Sequence, residues 1–228
     1  MIFYLAIPLT LLFYWLTRQL YARIPLPFIN PVLIPMLLLM GIIATFGLSL
    51  EEFERGAKPI HLLLEPAVVA LAIPLYQQIG QIRAQLKPIL ICCLISVLIS
   101  VLMTFAIAAL LPTDPKIVAS IATRSITTPL AMSVSSSLGG IASIAAAIVV
   151  LVGIMGAVIG FPLLKLFGVT DPQAQGLAIG ACSHAVGTSA AAERGTVQGA
   201  FSSLALVMCG ILTAIVTPLL FALYRLIH

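Results

Sequence analysis

Charged side chains are scarce in this sequence. Eleven of the 228 residues are Lys or Arg and seven are Asp or Glu, which makes 8% of the chain charged, whereas soluble globular domains carry about 25%. Hydrophobic residues make up 61% of the chain, and its mean hydropathy is +1.21. Because so few polar side chains cannot cover the surface of a water-soluble core, the composition excludes a soluble domain.

Catalytic and metal-binding patterns are lacking as well. The four cysteines form no C-x-x-C pair, since Cys92 and Cys93 are adjacent and Cys182 and Cys209 lie in separate apolar runs. They therefore indicate neither a disulfide framework nor a metal site. The few acids near the apolar runs form no Ser-His-Asp or paired-carboxylate arrangement. We expect no cofactor, no bound metal and no enzymatic activity.

Basic residues outnumber acidic ones, giving a net charge of +4, but they are scattered singly between apolar runs. No cluster could follow the phosphates of a nucleic acid, so nucleic acid is excluded as a partner. The basic residues are expected to anchor loops at lipid head groups. Arg18, Arg23, Arg83 and Lys87 follow the first and third runs in loops without acids. The basic residues of the two sides are nearly balanced and slightly favour an amino terminus on the outside.

Long apolar runs occupy most of the remaining sequence. A membrane-spanning helix needs about 20 mostly apolar residues, and the runs are continuous rather than alternating, which favours helices over barrel strands. Clusters of charge, Pro, Gly and Asn divide the chain into eight segments, namely 2–17, 31–50, 60–79, 88–111, 117–137, 141–164, 173–192 and 200–224. We predict a single domain over residues 1–228, an all-α polytopic protein of about seven to eight spans surrounded by the lipid bilayer.

Three local patterns bear on this architecture. The first run lacks the basic n-region and the A-x-A site of a cleavable signal peptide, so it is interpreted as a span. SLEEFERGAKPIH, residues 49–61, is interpreted as a mixed-charge surface loop. Gly156 and Gly160 stand at GxxxG spacing, which lets helices approach closely, either in ordinary packing or in a dimer.

Polar residues interrupt three of the segments, in LLEPAVVALAIP, RSITTPLAMS and SHAVGTSAAAE. Lipid cannot satisfy freed backbone groups, so a break at membrane depth must face protein or a water-filled cavity. We predict helices broken near 65–66, 127–129 and 187–189, with the breaks facing one interior cavity. Each of the last two interruptions is followed by an uninterrupted apolar helix that ends in Pro-Leu-Leu. This shared order of features predicts a duplicated unit.

The RSITTPLAMS interruption combines groups that suit a small anion. Thr128 is a fair N-cap and Pro129 fits the first helical position, so a half-helix would point its amino end and partial positive charge into the protein. A cation and hydroxyls stand beside that end. The candidate substrate-binding residues are Arg124, Ser125, Thr127, Thr128 and Pro129. Alternatively, the arginine extends to an interface and the hydroxyls bond their own carbonyls.

The SHAVGTSAAAE interruption supplies further candidates. A glycine can break the helix and a hydroxyl can cap its second half, so the substrate-binding set also includes Ser183, His184, Gly187, Thr188 and Ser189. Ionisable groups in or near a span are candidates for moving protons, here Glu65, His184 and Glu193. The alternatives are a packing histidine bonded across helices and a glutamate that lies near head groups.

The interrupted segments resemble those of the LrgB/CidB family. The matching stretches cover most of the chain from about residue 60 onward: LLEPAVVALAIPLYQQI, RSITTPLAMSVSSSLGGIASIAAAIVVLVGIMGAVIG and DPQAQGLAIGACSHAVGTSAAAERGTVQGAFSSLALVMCGILTAI. Within them SITTPLA and SHAVGTSAAAE are the specific signatures, whereas the amino-terminal third matches mainly in hydropathy. The departures are small: Arg124 stands where the family often has Lys, Cys182 replaces a small residue, and 135–137 is richer in serine.

The resemblance implies a multi-pass protein of a bacterial cytoplasmic (inner) membrane, with inverted repeats and crossed broken helices. It also implies two functions. The family is described as holin/antiholin-like, affecting murein hydrolase activity and cell lysis beside a small LrgA/CidA-type membrane protein. Its plastid relatives resemble glycolate/glycerate translocators, and some bacterial pairs are associated with pyruvate or related monocarboxylates.

The polar interruptions favour a carrier. A holin forms nonspecific lesions as a homo-oligomer and needs no polar site inside one protomer, whereas a carrier needs convergent polar groups at broken helices. We predict a transporter subunit for a small organic anion of the glycolate, lactate or pyruvate kind, acting with an LrgA/CidA-type partner. A holin-like regulator, a partner-stabilising subunit and an enzyme are the alternatives.

Overall fold

The computed structural model describes residues 2–23, 33–63, 66, 69, 72–111 and 113–227. These residues form two compact units, Met1–Leu71 and Ala72–His228, and each unit is described by itself. The described residues contain helices, turns and irregular segments but no strand, which agrees with the predicted all-α class. The prediction of a single domain over residues 1–228 stays a prediction.

The first unit contains α1 (Ile2–Arg23), α2 (Leu33–Thr45) and α3 (Leu50–Leu62). Helix α1 packs against both α2 and α3. The first two helices correspond to the predicted segments 2–17 and 31–50. Glu65 lies outside the described residues, and so does the break predicted beside it.

Residues 49–61 were predicted to form a surface loop, and that prediction is wrong because they form most of α3. The Ser49 hydroxyl accepts a hydrogen bond from the Glu52 amide at 3.4 Å, which caps the first turn. One turn further, Arg55 forms a 2.7 Å ion pair with Glu51. The sequence S-x-x-E and the four-residue spacing of opposite charges both favour a helix, and these local signals decide the structure.

The second unit contains eight described helices: α4 (Ala72–Gln77), α5 (Ile79–Ala84), α6 (Leu86–Leu110), α7 (Pro115–Ile121), α8 (Thr128–Ser137), α9 (Ala142–Leu166), α10 (Pro172–Arg194) and α11 (Thr196–Ile227). Helix α11 packs against α4, α6, α8 and α10, and α9 packs against α7, α8 and α10. The main apolar core lies between α6 and α11, where Ile89, Val101, Phe201 and Phe221 are buried. The polar helix α10 is thereby held between α9 and α11.

Three of the described helices are long and apolar enough to cross a membrane, namely Leu86–Leu110, Ala142–Leu166 and Thr196–Leu226. Large apolar side chains on their outer faces, such as Ile91, Leu151 and Leu219, are exposed, as lipid contact requires. The chain is therefore an all-α membrane protein. The predicted total of seven to eight spans stays a prediction, because the other described helices are shorter or more polar.

The second unit repeats one order of elements, as the layout of the sequence predicted. Asp114 and Asp171 are each followed by proline and cap α7 and α10, accepting a backbone N–H hydrogen bond at 2.8 Å. Each of these segments then contains non-helical backbone, at Thr127 (ψ 147°) and at His184 (φ 41°). Each copy ends in a long helix with an internal proline, Pro162 in α9 and Pro218 in α11. The inverted relation between the copies stays a prediction.

Glycines allow α10 to approach both neighbours closely. Gly156 of α9 faces Ser183, and Gly180 of α10 faces the backbone of Ser202 in α11, so a Cβ atom at either glycine would overlap with these atoms. Gly160 likewise faces Ile179 of α10. The GxxxG spacing of α9 therefore serves packing within the chain, which was one of its two interpretations.

We predict that Gly180→Ala destabilises the protein by about 1–3 kcal/mol, because the new methyl group would push against backbone that cannot move aside. Gly80→Ala is the matched control, since a Cβ atom there meets nothing within 4 Å and alanine favours a helix. Thermal unfolding of the two purified variants in one detergent measures the difference. Equal melting temperatures would contradict the close contact between α10 and α11.

Candidate functional site

The first break lies between α7 and α8. Helix α7 ends at Ile121 and α8 begins at Thr128, with turns between them, so the break predicted near 127–129 is confirmed. The N-cap is Thr127 rather than the predicted Thr128, and its side chain makes no capping hydrogen bond. Pro129 stands within the first turn, where its missing N–H costs no helical bond.

Arg124 of this break bonds to the neighbouring helix α6. Its guanidinium donates to the Ser100 carbonyl at 3.0 Å and to the Thr104 hydroxyl. Beside it, the hydroxyls of Ser125 and Ser100 are 3.0 Å apart. The arginine is therefore held inside the helix bundle and does not extend to an interface. The one ion pair among the described residues is Arg55–Glu51, so Arg124 has no carboxylate partner there.

Arg124 and Ser125 line a cavity of about 580 Å³ between α6, the first break, α9 and α10. Its volume lies in the range of small-molecule sites, about 300–1,000 Å³. Most of the wall is apolar, and Arg124 is its one charged side chain. The complete lining consists of Cys92, Ile95, Ser96, Ile99, Ser100, Met103, Arg124, Ser125, Val152, Ala178, Ala181 and Cys182.

The second break lies at His184, where φ is 41° and ψ is −137° inside α10. A break in this interruption was predicted near 187–189. It lies three residues before Gly187, and the predicted position is wrong because Gly187 and Thr188 are helical. A Cβ atom at Gly187 would overlap with Ser183, so this glycine serves close packing around the kink. The Thr188 hydroxyl does not cap a half-helix; it donates to the His184 carbonyl at 2.8 Å and lies 2.9 Å from the Ser202 hydroxyl.

His184 is buried against α9, with 3% of its surface exposed. Its Nε2 atom is 2.7 Å from the Val149 carbonyl oxygen. Gly153, one turn further along α9, leaves room for the ring, because a Cβ atom there would lie 2.5 Å from Cε1 of His184. Val149 also packs with Ile126 and Ala131 beside the first break. One residue of α9 thus contacts both breaks.

The structure brings together only some of the candidate residues. Arg124 and Ser125 line the cavity, and α10 contributes Ala178, Ala181 and Cys182 to it. The second break itself faces α9 and α11, so one cavity does not contain both breaks as predicted. The other described candidates do not line the cavity: Thr127 and Thr128 are half-buried, Ser183, His184, Gly187 and Thr188 are buried, and Pro129, Ser189 and Glu193 are exposed.

The polar groups on α6 are functional candidates that the sequence analysis did not identify, because this segment is an uninterrupted apolar run. Cys92, Ser96, Ser100 and Thr104 follow one another at four-residue spacing and therefore share one face of the helix. The first three line the cavity, and Thr104 binds Arg124. The repeated spacing of four is the signal that could have identified this face.

Comparison with known proteins places the chain in a family. A model of the LrgB-like family matches residues 10–223. The chain belongs to the LrgB family. This result confirms the resemblance found in SITTPLA and SHAVGTSAAAE. No solved structure matches.

Relatives in the LrgB family align over most of their length. An uncharacterized protein of Haemophilus influenzae is 38% identical over 97% of this chain and 96% of its own. The uncharacterized protein YxaC of Bacillus subtilis is 36% identical over 95% of this chain and 94% of its own. A Bacillus cereus relative named antiholin-like protein LrgB is 32% identical over 83% of each chain.

We predict that Gly153→Ala destabilises this LrgB-family protein by about 1–3 kcal/mol, because the added methyl group displaces the His184 ring from the Val149 carbonyl. In a His184→Ala background the same substitution should cost clearly less, since the ring it meets is gone. Unfolding free energies of the two single variants and the double variant measure this coupling. Additive effects of the two substitutions would contradict the contact.

Proposed function

We propose that this protein is a transporter subunit that moves a small monocarboxylate across a bacterial cytoplasmic membrane, together with a small LrgA/CidA-type partner. The observation that carries the proposal is Arg124, a cation without a carboxylate partner among the described residues, on the wall of a largely apolar cavity. A lysis regulator that acts by oligomerising needs no such group inside one protomer. The proposal rests on the chemistry of this cavity.

The charge of Arg124 supports an anionic substrate. A charged group away from water is costly unless an opposite charge and hydrogen bonds compensate it. Two of the five guanidinium N–H groups have acceptors on α6, at Ser100 and Thr104, which leaves three for a ligand. A carboxylate accepts two parallel N–H bonds from such a group. One cation fits one carboxylate, which favours a monoanion over a dicarboxylate.

The remainder of the cavity supports a short carbon chain. Apolar side chains on three sides, namely Ile99 and Met103 of α6, Val152 of α9 and Ala178 of α10, surround the polar end formed by Arg124 and the Ser100–Ser125 hydroxyl pair. An amphipathic molecule with a carboxylate at one end and a small apolar body satisfies both parts. Larger hydrophilic solutes would leave their polar groups unpaired against the apolar wall.

A holin/antiholin-like regulator of murein hydrolase activity is the second candidate. The observation that favours it is the name of the Bacillus cereus relatives, antiholin-like protein LrgB. Such a regulator would act by assembling with its partner or with copies of itself, and the Arg124 cavity would then have no role in its activity.

Uptake into proteoliposomes distinguishes the two candidates. The full chain is reconstituted with and without its small LrgA/CidA-type partner, and entry of labelled glycolate, lactate and pyruvate is measured against empty vesicles. Saturable uptake that unlabelled monocarboxylates inhibit supports the transporter. Leakage of these anions together with an uncharged dye of similar size would support the holin-like candidate instead.

Substitution of Arg124 tests its role in the same vesicles. We expect Arg124→Lys to retain part of the uptake, because the charge persists while the bidentate geometry is lost. Arg124→Gln should lose about tenfold or more, since a charged hydrogen bond contributes about 1.5–3 kcal/mol. Arg83→Gln, which removes a cation exposed on α5, is the matched control. Wild-type uptake by the Gln variant at normal membrane abundance would exclude Arg124 from the substrate site.

Proton coupling extends the proposal, with His184 as the proposed carrier and Glu193 and Glu65 as the other groups to test. An inside-negative potential opposes entry of a monoanion by about 2.3 kcal/mol per 100 mV, so accumulation needs a cation, and a proton is the simplest. We expect an imposed pH gradient to drive uptake, and His184→Gln to abolish this response while exchange of labelled for unlabelled substrate continues. Gln keeps a hydrogen-bond donor for Val149 but takes up no proton. If the Gln variant still responds to the gradient, His184 has a packing role only.

A further inference from the structure

Three buried hydroxyl groups lie together beside the first break. Ser120 stands at the end of α7, Thr123 in the break and Ser135 in α8, and each residue is 0% exposed. They come from separate elements, so the tertiary structure rather than the sequence brings them together. The three hydroxyls differ in how well their hydrogen bonds are satisfied.

The Ser135 hydroxyl has no hydrogen-bond partner in the structure. A serine in a helix commonly donates to the carbonyl four residues earlier, which here is Ala131. The Ser135 hydroxyl makes no such bond, and the Thr123 hydroxyl lies 3.4 Å from the Ala131 carbonyl. A buried hydroxyl without a partner costs about 1–3 kcal/mol. An oxygen that is buried and unbonded at such a cost is an available ligand.

The break also leaves a carbonyl oxygen available. In a continuous helix the Ser120 carbonyl would accept from the amide of residue 124. The Arg124 amide bonds to the Ile121 carbonyl instead, at 3.1 Å. The Thr123 hydroxyl lies 3.3 Å from the Ser120 carbonyl, and it shares its one proton between this oxygen and the Ala131 carbonyl. The carbonyls at the end of a helix carry the negative end of its dipole.

Two of the hydroxyls converge beside Gly140, where they occupy the space that a side chain would need. A Cβ atom at Gly140 would lie 2.5 Å from the Ser135 hydroxyl oxygen and 3.0 Å from that of Ser120. The Ser120 hydroxyl is fixed in orientation, because it donates to the Lys116 carbonyl and accepts from the Ile141 amide, both at 2.7 Å. One lone pair of this oxygen remains free. Both hydroxyl oxygens therefore lie close to each other, against the same glycine.

We propose that Ser120, Thr123 and Ser135 form a Na⁺ site beside the first break. The ligands are neutral hydroxyl and carbonyl oxygens, which suit a hard cation, and no carboxylate is among them. A monovalent ion is favoured over Ca²⁺ or Mg²⁺ for this reason. Within the described ranges no group of three His, Cys, Asp or Glu residues could hold a metal ion. Unwound carbonyls and half-helix carboxyl ends bind Na⁺ in transporters of the broken-helix type.

The proposed Na⁺ site adjoins the cavity, because one of its ligands is next to Arg124 in the chain. Thr123 directly precedes Arg124, so an ion held by Thr123 fixes the backbone that presents the guanidinium to a substrate. A bound Na⁺ would also offset the charge of a monoanion carried against the membrane potential. This coupling rests on the proposed function, whereas binding of the ion itself does not.

Thermal unfolding of the purified full chain tests the site without a transport assay. Melting temperatures are recorded in rising NaCl against KCl and choline chloride at constant ionic strength. We expect a saturable rise in NaCl alone, since a ligand that binds only the folded state stabilises it as its concentration increases. In Ser135→Ala the half-saturating NaCl concentration should rise about tenfold or more. Without Na⁺ this variant should be at least as stable as the wild type, because it removes an unbonded hydroxyl.

Ser137→Ala is the matched control, because Ser137 is exposed on the same helix and its hydroxyl already donates to the Val134 carbonyl at 2.7 Å. It should keep the wild-type response to Na⁺. Thr123→Val is the second test variant and should lose that response. Equal curves in the three salts, or a full Na⁺ response in Ser135→Ala, would overturn the site. Stabilisation by Na⁺ in a protein that transports no monocarboxylate would overturn the proposed function and leave the site intact.

Discussion

The burial of α10 between α9 and α11 is the constraint on which the second unit depends. Helix α10 carries non-helical backbone at His184 and buried hydroxyls at Ser183 and Thr188, and hydrocarbon cannot satisfy such groups. The His184 ring bonds to the Val149 carbonyl of α9, and the Thr188 hydroxyl lies within hydrogen-bond distance of Ser202 in α11. Gly156 and Gly180 allow these two helices to approach α10 that closely. Without these glycines the His184 ring and the Thr188 hydroxyl would lose their partners on the neighbouring helices.

The first break is supported differently, by polar groups on α6. Arg124 reaches across to a carbonyl and a hydroxyl of that helix, and Ser125 bonds its Ser100. Two N–H groups of the guanidinium are bonded to α6 in this way, and the side chain lines the cavity. The two interruptions, alike in the sequence, therefore have different surroundings: one lines a cavity and the other is enclosed by helices. Only the first is placed to touch a solute in this structure.

Much of the architecture could be predicted because long apolar runs and Pro-containing breaks act locally. The end of α7 before residue 127 and the long helices α9 and α11 follow from such signals. The kink at His184 could not be predicted in this way. A glycine at position 187 is an obvious break in a sequence, but here it serves close packing against Ser183. The kink instead lies at His184, whose ring donates a hydrogen bond to the Val149 carbonyl. The two residues are far apart in the sequence, so no local pattern predicts this contact.

The cavity was predicted only in part for the same reason. Arg124 and Ser125 were recognised as an unusual charge and hydroxyl in apolar surroundings, and both line it. The face of α6 that completes the wall was overlooked, because single serines and cysteines hardly change the hydropathy of a long run. The prediction of a loop at 49–61 was wrong because it relied on composition and ignored spacing. The charged composition suggested a loop, whereas the spacing of Ser49, Glu51 and Arg55 favours a helix.

Val149 joins the two repeats at their breaks. Its side chain packs beside one break, and its main-chain oxygen accepts a bond from the other. A main-chain acceptor persists whatever side chain occupies the position, so mutation at 149 leaves that bond available. Substitution can break this bond by removing the donor, His184, or by replacing Gly153, which leaves room for the histidine ring. A rotation of α9 about its own axis would therefore act on both breaks at once.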